Sequence, residues 1–204
     1  MSSLRLLLVR HGETPSNVLG LLDSRPPGPS LTPLGQQQAD ALADRLATEP
    51  VVAVYSSVAV RAQETAAPVA ARHGLSVRVV PGLHEVSVGD LECSNRPADI
   101  TTFVDVYQAW HAGSTDVPMP GGETGRQVLD RYLPVVARIR SAHLDGAVVL
   151  VGHSAAIRLV GRTLSSNVTA SFADTHFVRN CHTIVLEADG PGWRCLDWAG
   201  TPPA

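Results

Sequence analysis

Three short segments carry side chains that could hold and attack a phosphate dianion. They are Arg10-His11-Gly12-Glu13-Thr14, Ser56-Ser57 with Arg61 shortly after, and Gly152-His153-Ser154. Arginine offers a planar fork of donors that fits phosphate oxygens in pairs. The chain has 16 basic residues, every one an arginine, so any anion site must use guanidinium groups, histidines or backbone N–H groups. No Asp-rich or Cys/His cluster lies beside these segments to cage a metal ion, so neither a metal nor a cofactor is expected. Histidine is the natural nucleophile of the set, because it is nucleophilic when neutral and titrates near physiological pH. A carboxyl group must then protonate the leaving oxygen.

The elements around these segments place them together. Leu4 and Leu6 to Val9 form a nearly continuous apolar run, as do Val51 to Tyr55 and Ala147 to Val151. Such runs suit strands covered on both faces, as in a parallel sheet between helix layers. Thr32-Pro33 reads as a helix start, and Ala39, Leu42, Ala43 and Leu46 continue it at helical spacing. Further helices are expected over about 59–72, 99–110, 123–143 and 155–164, with a strand at 76–80. Two last strands, 183–187 and 194–197, flank a turn at Asp189-Gly190-Pro191-Gly192. Alternating strands and helices predict an α/β fold: a three-layer α/β/α sandwich with a mostly parallel sheet and an antiparallel edge. Ligands in such sheets bind beyond the carboxyl ends of the strands. That is where the three segments fall.

The rest of the composition narrows the class. With 204 residues, one compact domain over 1–204 is expected. A net charge of −3 argues against a nucleic-acid or anionic-membrane partner. Cys93, Cys181 and Cys195 match no metal spacing and read as free thiols in a reducing compartment. The run from Met1 to Val9 is too short for a signal sequence or a membrane span. The expectation is therefore a cytoplasmic protein, and a homodimer is compatible with it. His73, His111 and His143 fall on expected helices and read as solvated. Trp110, Trp193 and Trp198 read as packing residues, and Asn180 as a turn residue before an edge strand.

The motifs resemble those of the histidine phosphatase superfamily, which includes the cofactor-dependent phosphoglycerate mutases. Arg10-His11-Gly12 is similar to its RHG signature. Leu31-Thr32-Pro33-Leu34-Gly35 through Ala39 is similar to an LTxxGxxQA helix start, and Ser56-Ser57 through Thr65 to an SSxxxRAxxT stretch. Glu85 through Cys93 resembles an ExxxGxWEG loop, with Leu91 in place of the aromatic residue and Cys93 in place of the last glycine. Pro120-Gly121-Gly122-Glu123-Thr124 resembles PGGES, and Val151 to Ser154 resembles VxHG with serine for glycine. The blocks keep the family order over residues 4–187.

The resemblance implies roles. His11 would take the phosphoryl group, and Arg10, Arg61 and His153 would hold its oxygens. Asn17, Thr14 and Ser154 would add substrate contacts. Glu85 would protonate the leaving alkoxide and then activate water. It must hold a proton near neutral pH, which partial burial and the charge of bound phosphate favour. Glu13 or a backbone carbonyl would fix the His11 tautomer.

Three functions fit this set. The favoured one is a phosphomonoester hydrolase acting on a small phosphorylated metabolite. A phosphoglycerate mutase would need basic residues after the Glu85 loop to grip a carboxylate, and residues 93–120 hold only Arg96. A non-catalytic phosphate-binding module would be expected to lack His11 or Glu85. Segments 18–31 and 93–120 read as caps over the pocket. They are rich in apolar side chains and poor in positive charge, which favours a partly apolar or neutral leaving group.

Overall fold

The computed structural model describes residues 3–203; Met1 and Ser2, which begin the run read against a signal sequence, and Ala204 lie outside the described residues. Six strands form one sheet. They are β1 (Arg5–Arg10), β2 (Val51–Ser56), β3 (Val77–Val79), β4 (Ala147–Gly152), β5 (Thr183–Asp189) and β6 (Gly192–Trp198), in the order β3-β2-β4-β1-β5-β6. β1, β2, β3 and β4 pair in parallel, while β5 and β6 run antiparallel at one side. β5 runs antiparallel to β1 and β6 antiparallel to β5, so the last pair of strands forms the antiparallel edge expected from the sequence.

Side-chain alternation explains why the central strands read as unbroken apolar runs. Leu6 and Leu8 of β1 and Val148 and Leu150 of β4 enter one core. Leu7 and Val9, with Val149 and Val151, enter the other. All six residues of β4 are buried. Successive side chains of a strand point to opposite faces, so a strand covered twice is apolar at every position. On one face lie α2 (Pro33–Arg45) and α3 (Val60–Arg72). On the other lie α5 (Gly125–Ala142) and α6 (Ser154–Leu164), with α4 (Pro97–His111) and α7 (Ala170–Thr175) against α6. This is the three-layer sandwich expected from the sequence.

Two short helices were not expected. α1 (Pro15–Val18) begins on the same Thr-Pro pair that opens α2, and Thr14 and Asn17 form a reciprocal capping box. α7 starts at Thr169, whose hydroxyl accepts the Phe172 N–H. One histidine is also misread by the sequence. His111 is buried, with Nδ1 2.5 Å from Asp174 Oδ1, because α4 packs across α6 and α7 instead of lying against solvent.

The sheet fixes the site by continuing its ladder into the loops. His11 N–H donates to Gly152 O at 3.0 Å, and Ser57 N–H to Val151 O at 3.1 Å. The first turn of α2 then closes on the His11 loop. Thr32 N–H donates to Glu13 O at 2.9 Å, and a Cβ on Gly35 would stand 2.1 Å from that same oxygen. Only a residue without a side chain fits this backbone-to-backbone contact. Gly35→Ala should therefore cost about 1–3 kcal/mol of stability, read as a lower urea midpoint. An unchanged midpoint would mean that α2 does not press on the loop.

Candidate active site

His11 stands just past β1, with 5% of its surface exposed, at the edge of a cleft of about 210 Å³. Its Nδ1 lies 2.7 Å from Gly12 O. A carbonyl only accepts, so Nδ1 must carry the ring proton and the lone pair belongs to Nε2. The backbone carbonyl thus fixes the tautomer, while Glu13 Oε1 accepts from Thr32 Oγ1 instead. Burial first, then the charges of Arg61 and Arg10, push the His11 pKa down to about 3 against a smaller upward effect of the Gly12 bond. The ring is therefore neutral at physiological pH, which is the nucleophilic form.

His153 follows β4 and faces His11, with ring centroids 5.2 Å apart. Its Nε2 lies 2.8 Å from Ser57 Oγ, which in turn accepts the Ala59 N–H at 3.3 Å. The hydroxyl is free to donate its own hydrogen to Nε2, and in that arrangement Nδ1 of a neutral His153 carries the ring hydrogen. Burial, His11 and Arg61 all hold its pKa well below the ordinary value.

Arg61 comes from the first turn of α3. Its Nη2 donates to Asp23 O at 3.2 Å, and Gly28 makes room for its head, since a Cβ there would lie 1.9 Å from Nη1. Arg10 spends Nη1 on Val178 O at 2.9 Å. Arg10 Nε, Arg61 Nη1 and His153 Nδ1 are all buried without a partner among the described residues. Buried donors are nearly always satisfied, so orphaned N–H groups gathered around a neutral imidazole mark a place for an anion. Arg10 and His11 line the open cleft. Arg61 and His153 lie fully buried behind it.

Asn17 and Ser154 also line the cleft. Asn17 Oδ1 accepts from Thr14 N–H and Asn180 Nδ2, both at 3.1 Å, so its own NH2 is left for the cavity. Asn180 further donates to His11 O at 2.9 Å. Sequence reasoning missed this clamp, because nothing separates it from an ordinary turn residue before β5. Thr14 is buried, and its hydroxyl accepts Asn17 N–H, so the structure makes it a cap of α1 and does not bring it to the cleft.

Glu85 reaches the cleft from a loop after β3. Oε1 accepts Val86 N–H at 2.8 Å and Ala156 N–H at 2.9 Å, and Oε2 accepts Ala155 N–H at 3.1 Å. His153 is the N-cap residue of α6, but its ring makes no cap bond. The carboxyl group of Glu85 supplies the cap in its place, since its oxygens can accept these N–H groups with or without a proton on Oε2. The loop itself is clamped by Arg131. That guanidinium donates to Gly82 O, His84 O and Glu85 O at 2.7–3.0 Å and forks onto both oxygens of Glu123. Glu123 Oε2 also accepts Ser87 N–H at 2.9 Å.

The two cap-like segments meet over the cleft. Cys93 N–H donates to Leu22 O at 2.7 Å and Leu22 N–H to Ser94 O at 2.9 Å. Glu92 accepts Ser24 N–H at 2.8 Å. Cys93 has φ 57°, the left-handed conformation that glycine adopts freely, at the position where the family pattern has glycine. Leu21, Leu22 and Phe103 form apolar wall of the cleft. Among the described residues no helix is long and apolar enough to cross a membrane, and no group of three or more His, Cys, Asp or Glu could hold a metal ion.

The site thus gathers a neutral imidazole, guanidinium donors and a carboxyl group at the open end of an α/β sheet. The chain belongs to the histidine phosphatase superfamily (branch 1), whose model matches residues 6–201. It is 36% identical over 211 residues to PE-PGRS family protein PE_PGRS11 of Mycobacterium tuberculosis, covering 95% of this chain but only 36% of that longer protein. It is 34% identical to a metal-independent phosphoserine phosphatase of Arabidopsis thaliana, over 76% of this chain and 66% of the relative. A mycobacterial glucosyl-3-phosphoglycerate phosphatase, solved with VO3, superposes with a TM-score of 0.82 at 28% identity, over 97% of this chain and 99% of that one.

The depressed pKa has a direct readout. In nitrogen-detected NMR, His11 should remain the neutral Nδ1–H tautomer from pH 8 to pH 5. Its unfolded counterpart protonates near ~6.5, so between that pH and about 3 the unfolded state binds a proton that the folded state refuses. Stability should therefore fall as the pH drops below ~6.5, by up to about 1.4 kcal/mol per pH unit from this group. A His11 ring that titrates near its ordinary pKa would contradict the assignment.

Proposed function

We propose that this chain is a phosphomonoester hydrolase that acts on a small phosphorylated metabolite through a phosphohistidine at His11, without a metal ion. The observation that carries the reading is the neutral His11 ring, with its lone pair on Nε2, beside orphaned donors of Arg10, Arg61 and His153. Those donors would take the non-bridging phosphate oxygens, and the NH2 of Asn17 and the hydroxyl of Ser154 would add to them. Thr14 would contribute only by holding α1.

Nε2 attacks phosphorus, the bond to the leaving oxygen breaks, and that oxygen takes the proton of Glu85. Water then attacks the phosphorus of phospho-His11 and gives a proton to Glu85. The P–N bond breaks, and Nε2 recovers its lone pair as inorganic phosphate leaves. The charge that spreads over the transferring group meets fixed guanidinium and imidazole donors. Segments 18–31 and 93–120 cap the cleft within one domain and shape the leaving-group side. The relatives' names support a phosphatase: one is a phosphoserine phosphatase and another a glucosyl-3-phosphoglycerate phosphatase. A mutase-type grip by Arg96 finds no support, because that side chain is exposed and forks onto Asp99.

The protein should hydrolyse p-nitrophenyl phosphate in the presence of EDTA, and His11→Ala should lower kcat by at least about 10⁴-fold. Glu85→Gln should cost about 10²–10⁴-fold on alkyl phosphates, whose leaving groups need a proton, and much less on the aryl phosphate. Loss of activity in EDTA, near-normal turnover by His11→Ala, or equal effects of Glu85→Gln on both substrates would each defeat part of the scheme.

A further inference from the structure

One carboxylate near the site has no part in the proposed chemistry. Glu92 follows the short 3₁₀ turn Gly89–Leu91 and stands where the two cap segments meet. Leu22 pairs there with Cys93 and Ser94 through two backbone hydrogen bonds. The Glu92 side chain takes the donors that come next. Oε1 accepts Ser24 N–H at 2.8 Å and Arg25 N–H at 3.3 Å, and Oε2 accepts the Ser24 hydroxyl. Ser24 is buried, so its N–H needs an acceptor inside the protein. The Glu92 side chain is only 11% exposed, and its ion pair with the exposed Arg25 is stretched to 4.0 Å. Exposed pairs of that kind contribute little, so Glu92 serves the backbone.

The backbone it holds leads straight to Arg61. Asp23 precedes Ser24, and its carbonyl accepts Arg61 Nη2 at 3.2 Å. Beyond Ser24 the chain stays against α3. Pro27 O accepts Val60 N–H at 2.9 Å, Gly28 lies against the guanidinium, and Leu31 N–H donates to Glu64 Oε2 at 2.7 Å. Residues 23–31 thus form a strap that seals Arg61 to 1% exposure. One end of the strap is fastened to α3 at Glu64, and the other to Glu92. A guanidinium is planar and rigid, so its free Nη1 turns with the Nη2 that Asp23 O holds. Burial lowers the Arg61 pKa, and the charges of Asp23, Glu85 and Glu92 oppose that fall. Asp23 and Ser24 line the cleft, and Glu92 reaches it only through them.

We propose that Glu92 is a positioning residue. Through the N–H groups of Ser24 and Arg25 it fixes Asp23 O, and through that carbonyl it aims the free donor of Arg61 at the phosphate. It touches no substrate itself. The assignment rests on the phosphatase reading in taking Arg61 as a phosphate donor. Glu85 and Glu92 share one loop, yet they act on opposite sides of the breaking bond.

The test is kinetic and uses the full-length protein with p-nitrophenyl phosphate and glycerol 3-phosphate. Glu92→Ala should lower kcat/KM at least about ten-fold, and by the same factor for both substrates, because the transferring phosphoryl group is common to them. Glu92→Gln keeps an oxygen for the two N–H groups and should recover most of that loss. In an Arg61→Met background, Glu92→Ala should change kcat/KM by no more than about two-fold, since the group it aims is gone. Loss of folded protein would instead scale both backgrounds alike. If Glu92→Ala fails to fold, Glu92→Asp, one methylene shorter, takes its place in the cycle. An effect under about two-fold beside an intact Arg61 overturns the proposal, and so do equal factors in the two backgrounds. A loss confined to glycerol 3-phosphate also overturns it, because the damage would then lie at Glu85. Slow turnover by Arg61→Met with normal turnover by Glu92→Ala would leave the phosphatase reading standing and remove only the role of Glu92. Normal turnover by Arg61→Met would remove the phosphate role of Arg61, and that of Glu92 with it.

Discussion

One short hydrogen bond governs the site. Gly12 O holds the proton of His11 on Nδ1, and burial beside two arginines keeps a second proton off Nε2. A solvated imidazole would be partly protonated near neutral pH and free to exchange tautomers. Much of the surrounding structure serves this one ring. The β1–β4 ladder runs on into His11 N–H, Asn180 holds the His11 carbonyl, and Thr65 Oγ1 accepts the Gly12 N–H at 2.9 Å. α2 closes the loop from the other side with the backbone of Gly35. The cost of such an arrangement is a set of buried donors without protein partners among the described residues.

A second constraint ties the carboxyl group to the same frame. α6 starts at the end of β4 and needs partners for its first N–H groups. An ordinary N-cap side chain at 153 would satisfy them locally, but the His153 ring is turned toward His11. Glu85 fills the vacancy across 70 residues of sequence. One helix end thereby sets both the imidazole that faces His11 and the carboxyl group that lines the cleft. Arg131 and Glu123 brace the loop behind it, so Glu85 is held from both ends although it lies on no helix or strand.

The sequence made the sheet legible because strands buried on both faces leave an unmistakable apolar run, and the residues at their carboxyl ends follow from connectivity. The ordered motifs then carried His11, Arg10, Arg61, Glu85 and His153 to the same end of the molecule. What stayed hidden depends on long-range packing. Asn180 lies 169 positions from the carbonyl it clamps. His111 reads as a solvated helix residue until α4 is known to cross α6 and α7. Arg158 reads as an ordinary helix arginine until Tyr107 and Phe177 are seen to enclose it. Thr14 errs the other way: it stands in the signature, yet its hydroxyl serves the backbone of α1.

The central claim is that phosphorus visits His11 on its way to water. Hydrolysis of a phosphoester made chiral with oxygen isotopes reports this even when the intermediate never accumulates. Two successive in-line displacements, first by Nε2 and then by water, predict overall retention of configuration at phosphorus. Inversion would mean that water attacks the substrate directly, and it would contradict His11 as the nucleophile.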